Sequence, residues 1–233
     1  MTRVQRIVNK FLLSTIILVL YACNESKEVG PATLGYDFYP VALGQFRIYE
    51  VEEIQYDLIG FDTSTFQLRE TIFDSIVSGD RISYLIRRDK RNTAVDPWES
   101  DSVWQVSRTD SFLSITENNV PFIKLVFPVT VPQEWNGNSL NVRDELIYYY
   151  QPLRELIVDT LTLSDHIRVI IEDIQENVTG VDLRSEIYVR GVGLVEKDYF
   201  TQTRCTSSNC GDDLGEVDSG RLLKQRLIEI GNE

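Results

Sequence analysis

Apolar and polar residues alternate in short runs along most of the chain. An apolar residue stands at every second position of Ile82–Ile86 and of Ile167–Ile171. A period of two places the apolar side chains on one face of a β-strand. Turn-forming residues such as Gly79-Asp80 and Asn177–Gly180 separate the runs. The pattern predicts an all-β fold, an antiparallel sandwich or an open or half barrel, with few or no helices after the signal peptide.

Three segments depart from this alternation. Pro152–Thr162 has a helix-like spacing of apolar residues, and Pro152 suits the first position of a helix. Arg221–Ile230 fits either a helix or a closing strand. Phe122–Phe127 is almost continuously apolar, which predicts a strand that is buried on both faces.

Glycines mark two further positions. Asn136-Gly137 predicts a two-residue hairpin turn, since both residues tolerate the positive φ of a type I′ turn. Gly191 and Gly193 flank a valine in a strand-like run, which predicts a bulge or a close approach of two backbones. The alternative at each position is a loop that binds a ligand.

The N-terminus has the pattern of an export signal. Arg3, Arg6 and Lys10 precede an apolar run over Phe11–Leu20. That run is about half the ~20 residues that a membrane-spanning helix needs. A membrane anchor or a buried core helix is the alternative. We predict a signal peptide over 1–22, a lipidated N-terminus and tether over 23–34, and a single antiparallel β domain over 35–233.

Leu20-Tyr21-Ala22-Cys23 resembles the lipobox of bacterial lipoproteins, although Tyr21 is bulkier than usual there. The resemblance implies lipid attachment to the Cys23 sulfur, cleavage after Ala22 and acylation of the new N-terminus. Several acyl chains give stable membrane anchoring, whereas one is marginal. Asn24 stands where an aspartate signals retention at the inner membrane, so the resemblance implies the outer membrane, on its periplasmic or surface face.

Three further stretches resemble a group of uncharacterised lipoproteins common in Bacteroidetes-type genomes. They are Tyr39–Tyr49, Lys124–Pro128 together with Trp135–Asn138, and Gly191–Val195. The resemblance implies an antiparallel β domain on a lipid tether. It implies no activity.

Charge narrows the choice of partners. The 233-residue chain carries a formal charge of −13, and removal of the three leader cations brings it to −16. Nucleic acid binding needs clustered Lys and Arg, so we predict no nucleic acid partner. The predicted membrane contact is therefore through the lipid on Cys23.

Two cysteines, Cys205 and Cys210, remain in the mature chain. A pair in an exported protein predicts a disulfide. The alternative is a pair of metal-ligating thiols, but neither a histidine nor a third cysteine lies near them to complete a zinc site. We predict no metal and no cofactor.

Candidate catalytic groups are few. His166 is the only histidine, and its neighbour Asp165 would point to the opposite face of a strand. Asp212, Asp213, Glu216 and Asp218 cluster without the spacing of a calcium-binding EF-hand loop. We therefore assign no catalytic residue. A pair of carboxylates could hydrolyse glycosides, but no spacing singles one out.

These observations favour a non-enzymatic binding or assembly module of the cell envelope. Its partner would be an apolar ligand, a glycan or an envelope protein. The alternatives are a carboxylate-based hydrolase acting on glycans and a purely structural surface lipoprotein. An apolar cavity would favour the binding module, and a cleft with two facing carboxylates would favour the hydrolase. A filled domain would favour the purely structural lipoprotein.

Overall fold

The computed structural model describes residues 30–79, 81–152, 156–158, 161–163, 165–206, 210 and 215–233. Residues from Pro31 to Glu233 form one compact unit. The predicted signal peptide and lipidation site lie outside the described residues, and the predicted domain boundaries stay predictions. No helix within the described residues is long and apolar enough to cross a membrane.

The prediction of an antiparallel all-β fold is confirmed, and the architecture is an open barrel. One four-residue helix, α1 (Pro31–Leu34), and one 3-10 turn (Tyr36–Phe38) precede the strands. The strands are β1 (Gln45–Asp57), β2 (Gly60–Ser78), β3 (Arg81–Arg91), β4 (Glu99–Arg108), β5 (Phe112–Glu117), β6 (Val120–Val126), β7 (Glu134–Asn136), β8 (Ile147–Pro152), β9 (Leu156–Val158), β10 (Leu161–Leu163), β11 (His166–Asn177), β12 (Gly180–Val189), β13 (Gly193–Arg204) and β14 (Val217–Asn232).

Twelve of these strands form one sheet in the order β6-β5-β4-β3-β2-β1-β14-β13-β12-β11-β8-β7, and β9 and β10 pair separately. The sheet is an up-and-down meander in which the first and last strands, β1 and β14, are also neighbours. Its two edges, β6 and β7, are therefore consecutive in the chain.

The two edges almost meet and nearly close the barrel. The Ile123 N–H donates to the Gly137 carbonyl (2.9 Å), and the Trp135 indole N–H donates to the Ile123 carbonyl (3.0 Å). The Tyr150 hydroxyl both accepts from the Val126 N–H and donates to its carbonyl, each at 2.8 Å. Phe122–Phe127 is thus an edge segment, and the facing edge covers it.

The segment from Pro31 to Gly44, called the N-terminal plug here, fills one end of the barrel. It contacts the β6–β7 connection, where the Val129 N–H donates to the Leu34 carbonyl (3.0 Å). It also contacts the β12–β13 turn, where the Gly191 N–H donates to the Asp37 carbonyl (2.7 Å). Phe38 and Tyr39 of the plug belong to the hydrophobic core. The opposite end, called the mouth here, is formed by the turns after β1, β3, β5, β7, β11 and β13.

Some sequence predictions need correction, and one alternative that was left open is decided. Pro152–Thr162 forms strand segments where it is described, not a helix, whereas Arg221–Ile230 lies within β14, as the strand alternative for that segment predicted. Asn136-Gly137 is not a hairpin turn, because β7 joins β8 through residues 137–146. Gly191 belongs to the turn before β13, and at Gly193 a Cβ would lie 2.8 Å from the Arg47 guanidinium. The close approach predicted at Gly193 therefore exists, but it involves a side chain.

Candidate functional site

A polar cavity occupies the barrel interior near the mouth. Its volume is about 390 Å³, and we call it the inner chamber. Strands β1 to β5, β13 and β14 supply its walls. Three aromatic side chains, those of Phe66, Trp104 and Tyr199, line it beside four cations and three carboxylates. A volume of this size lies within the range of about 300–1,000 Å³ that is usual for small-molecule sites.

A second cavity of about 270 Å³ lies between β5–β6 and the facing strands β8 and β11 to β13. We call it the seam chamber. Its lining includes Phe122 and Arg143, and it shares Glu117, Asn118 and Tyr199 with the inner chamber. The two chambers are therefore adjacent, and a ligand longer than one sugar ring could contact both.

Four buried charges lie beside this shared wall. Alternation along β12 and β13 turns Glu186 and Lys197 inward, while β5 and β6 supply Glu117 and Lys124. The Lys124 ammonium lies 2.8 Å from the Glu117 carboxylate and 3.0 Å from that of Glu186. The Lys197 ammonium lies 3.7 Å and 3.4 Å from the same two groups. We call these residues the four-charge cluster.

The four-charge cluster ties together walls that are distant in the sheet. Strands β6 and β12 are separated by seven strands in the sheet order. The hydroxyls of Tyr188 and Tyr199 each donate to the Glu186 carboxylate at 2.5 Å. Glu186 therefore accepts hydrogen bonds from both its own wall and, through Lys124, the opposite one.

The ionisation of the cluster follows from its pairing. Burial raises the pKa of Glu186, but the ammonium groups of Lys124 and Lys197 and the two tyrosine hydroxyls outweigh it and hold the pKa well below its usual range. The pKa of Glu117 is lowered against the effect of burial by the same two ammonium groups. Burial lowers the pKa of Lys124, but the carboxylates of Glu117 and Glu186 outweigh burial and hold the pKa well above its usual value. All three groups are charged at neutral pH.

This arrangement does not fit glycoside hydrolysis. That reaction needs one carboxylic acid that keeps its proton, usually because its pKa is raised. Glu117 and Glu186 both have lowered pKa values. Glu117, which lines both chambers, can accept hydrogen bonds from a ligand, but neither carboxylate supplies a proton.

The wall of the inner chamber is a series of paired charges. The Arg88 guanidinium lies 3.1 Å from Glu70 and 3.6 Å from Asp101, and it stacks 3.7 Å from the centre of the Trp104 ring. The Lys90 ammonium lies 2.8 Å from Asp101. These contacts hold the side chains in place and lower the cost of ordering them when a ligand binds.

Two hydrogen-bond donors of the chambers have no partner in the described part of the chain. The Trp104 indole N–H is buried without an acceptor. Arg143 is exposed and has no carboxylate within the 4.0 Å of an ion pair among the residues that the structure describes, and its guanidinium lies 5.3 Å from the centre of the Phe122 ring. A buried indole N–H usually has a partner, so Trp104 points to an acceptor supplied by a ligand or by water.

Of the residues singled out by the sequence, those that the structure describes lie outside both chambers. Cys23, Asp212 and Asp213 fall outside the described residues. Cys205 and Cys210 are joined by a disulfide in the β13–β14 connection at the mouth, and pairing in the exported protein stays a prediction. Glu216 and Asp218 are exposed, and no group of three potential ligands among the described residues is placed to hold a metal.

His166 is half-buried at the start of β11, whose Ile167, Val169 and Ile171 belong to the core. Alternation directs the imidazole away from that core and from the chambers. Asp165 instead pairs with Arg190 at 2.5 Å. Among the residues that the structure describes, none of these candidates therefore lines the inner chamber or the seam chamber.

Sequence reasoning missed the four-charge cluster. Lys124 interrupts the apolar run of β6, and Glu186 occupies the same strand face as the core residue Tyr188. A charge at a position whose alternation places it inside is the signal that could have found them. Their partners could not be inferred, because they come from opposite walls.

Comparisons with known proteins give little further information. No protein-family model matches the chain, and no curated protein matches its sequence. One solved structure, that of a protein predicted to be exported, with a YmcC-like fold, from Bacteroides fragilis, overlaps 84% of this chain and 99% of its own. The two are 9% identical with a TM-score of 0.39. A similarity of this size supports no inference about this chain.

Proposed function

We propose that this chain is a lipid-anchored protein of the cell envelope that binds a saccharide in the barrel mouth without transforming it. The observation that carries the proposal is the pair of adjacent polar chambers opposite the N-terminal plug. Of the ligands considered from the sequence, an apolar molecule fits worst, because it would bury the paired charges of the walls without replacing their contacts with water.

A saccharide suits this lining on two grounds. Its hydroxyls are both donors and acceptors, and the inner chamber presents ammonium, guanidinium, carboxylate and amide groups. Its rings also have apolar faces that pack on aromatic side chains, which Phe66, Trp104 and Tyr199 supply. The two open chambers favour binding over a purely structural role, for which a filled domain was expected.

The site lies at the end of the barrel opposite the N-terminal plug. Residues 24–30 would join a lipid on Cys23 to this plug, which begins at Pro31.

Replacing Cys23 by Ser is expected to move the protein from the membrane fraction to the soluble fraction. The substitution removes the sulfur that would carry the lipid, and without acyl chains the chain loses its proposed anchor. Cell fractionation and labelling with a fatty-acid analogue measure this. Ser26→Ala, three residues away, is the control and should stay lipidated. Continued labelling of Cys23→Ser would contradict the lipid assignment.

Saccharide binding is expected to change the fluorescence of Trp104. We suggest titrating the full lipidated protein in detergent with a panel of neutral and acidic oligosaccharides, with isothermal titration calorimetry as the measure of affinity for variants that lack a tryptophan. Trp104→Phe removes the free indole N–H, and loss of one hydrogen bond of about 1.4 kcal/mol weakens binding about tenfold. Trp98→Phe is the matched control, because Trp98 stacks with Arg69 and Arg91 outside both chambers. The proposal fails if no oligosaccharide binds or if both variants behave alike.

A further inference from the structure

The charge of the two chambers differs from that of the chain as a whole. The chain has 36 acidic and 23 basic residues, whereas the two chambers are lined by seven Lys or Arg residues and three Asp or Glu residues. Three more carboxylates, those of Glu70, Asp182 and Glu186, pair with these cations from behind the lining. Seven cations thus face six carboxylates, and the site keeps a local positive excess within an acidic protein.

That excess is located at Arg143. Each of the other lining cations has a carboxylate within ion-pair distance, whereas Arg143 has none among the described residues. Its loop is held in place: the Arg143 N–H donates to the Asn141 side chain (2.9 Å), and the Asn141 amide donates to the Pro121 carbonyl (2.8 Å). The backbone of Arg143 is therefore held in place, and its exposed guanidinium lines the seam chamber without an ion-pair partner among the described residues.

Two donors of the site have no partner among the described residues. They are the guanidinium of Arg143 in the seam chamber and the indole N–H of Trp104 in the inner chamber. A guanidinium presents N–H groups in a fork that matches the two oxygens of a carboxylate. A ligand that completes both chambers brings an anionic group to Arg143 and a neutral acceptor to Trp104.

Resting on the proposed function, we infer that the saccharide is an acidic oligosaccharide whose carboxylate binds Arg143. One uronic acid residue occupies the seam chamber, and its neighbour extends past Glu117 and Tyr199 into the inner chamber. The carboxylate supplies the ion-pair partner that Arg143 lacks among the described residues. The acidic surface elsewhere on the chain disfavours anions in general, so selectivity comes from this one position.

The test compares each acidic oligosaccharide with its methyl ester, which has the same backbone without the charge. Tetrasaccharides of galacturonate, of alginate and of hyaluronan are titrated against the full lipidated protein in detergent. At least one acid is expected to bind ten times or more tighter than its ester, and that ratio should fall as salt is raised. Arg143→Gln should reduce the ratio to about two, because it weakens binding of the acid much more than binding of the ester.

Arg204→Gln is the matched control, because Arg204 pairs with the exposed Glu176 at the mouth end, outside both chambers. It should keep the full preference for the acid. If acid and ester bind equally, or if Arg143→Gln keeps the preference, the inference is wrong while the proposed saccharide function stands. If none of the probes, acidic or neutral, binds, both are wrong.

Discussion

Glu186→Gln is expected to lower the free energy of unfolding by about 3–5 kcal/mol, the range seen when one partner of a buried ion pair is removed. The carboxylate is 1% exposed and accepts from Lys124, Tyr188 and Tyr199. Glutamine keeps the size of the side chain but removes the charge. Two buried ammonium groups would then share the single carboxylate of Glu117.

Urea unfolding of the lipidated protein in detergent measures this loss. Glu176→Gln is the matched control, because Glu176 pairs with Arg204 while it is 70% exposed. An exposed pair contributes about 0–1 kcal/mol, so the control should remain close to the native protein. Equal effects of the two substitutions would show that the four-charge cluster does not stabilise the barrel.

The same cluster gives a pH dependence with a defined sign. The pKa values of Glu117 and Glu186 lie below the ordinary value of 4.5 in the folded protein. The unfolded chain therefore binds more protons as the pH falls below about 4.5, and the stability that these groups contribute above that pH is lost. The fall in unfolding free energy between pH 6 and pH 3 should be smaller in Glu186→Gln than in the native protein.

Gly180→Ala is expected to destabilise the barrel by about 2–6 kcal/mol. Gly180 opens β12 with φ of 141°, a conformation that side chains disfavour, and the strain costs about 1–3 kcal/mol. A Cβ there would also lie 1.9 Å from the Gln202 carbonyl oxygen of β13. Since this contact is with backbone of a paired strand, relief requires a shift of β13, at a further cost of about 1–3 kcal/mol.

Gly60→Ala separates the two causes. Gly60 opens β2 with a similar φ of 148°, but no atom lies within 4 Å of the position of its Cβ. We expect this variant to lose only the strain contribution of about 1–3 kcal/mol. Thermal unfolding of both variants gives the comparison. If Gly180→Ala is no less stable than Gly60→Ala, the steric contribution is ruled out.

Local pattern predicted the strands because each depends on alternation within a few residues. Ile167, Val169 and Ile171 lie in the core as their period of two requires. The hairpin turn predicted at Asn136-Gly137 is wrong because tertiary contacts override the local preference for a turn. The Asn136 side chain accepts from the Asn138 N–H (2.9 Å), and a Cβ on Gly137 would lie 2.3 Å from the Tyr148 ring. Gly137 is thus needed for ring packing.

The two chambers and the four-charge cluster could not be predicted in the same way. Alternation assigns Lys124 and Glu186 to inward faces, but their contact depends on how far the sheet curls. That curvature accumulates over the seven strands between β6 and β12. The pattern in any one strand contains no information about it.

The position of β14 determines when the barrel can form. Strand β14 follows every other strand of the barrel along the chain, yet it pairs with β1 over Ser219–Asn232 and with β13 over Val217–Arg226. Until β14 is available, β1 lacks one neighbour and the strands before β14 cannot complete the sheet. In a chain that emerges N-terminus first from a ribosome or a translocation channel, the barrel would stay unfinished until β14 emerged.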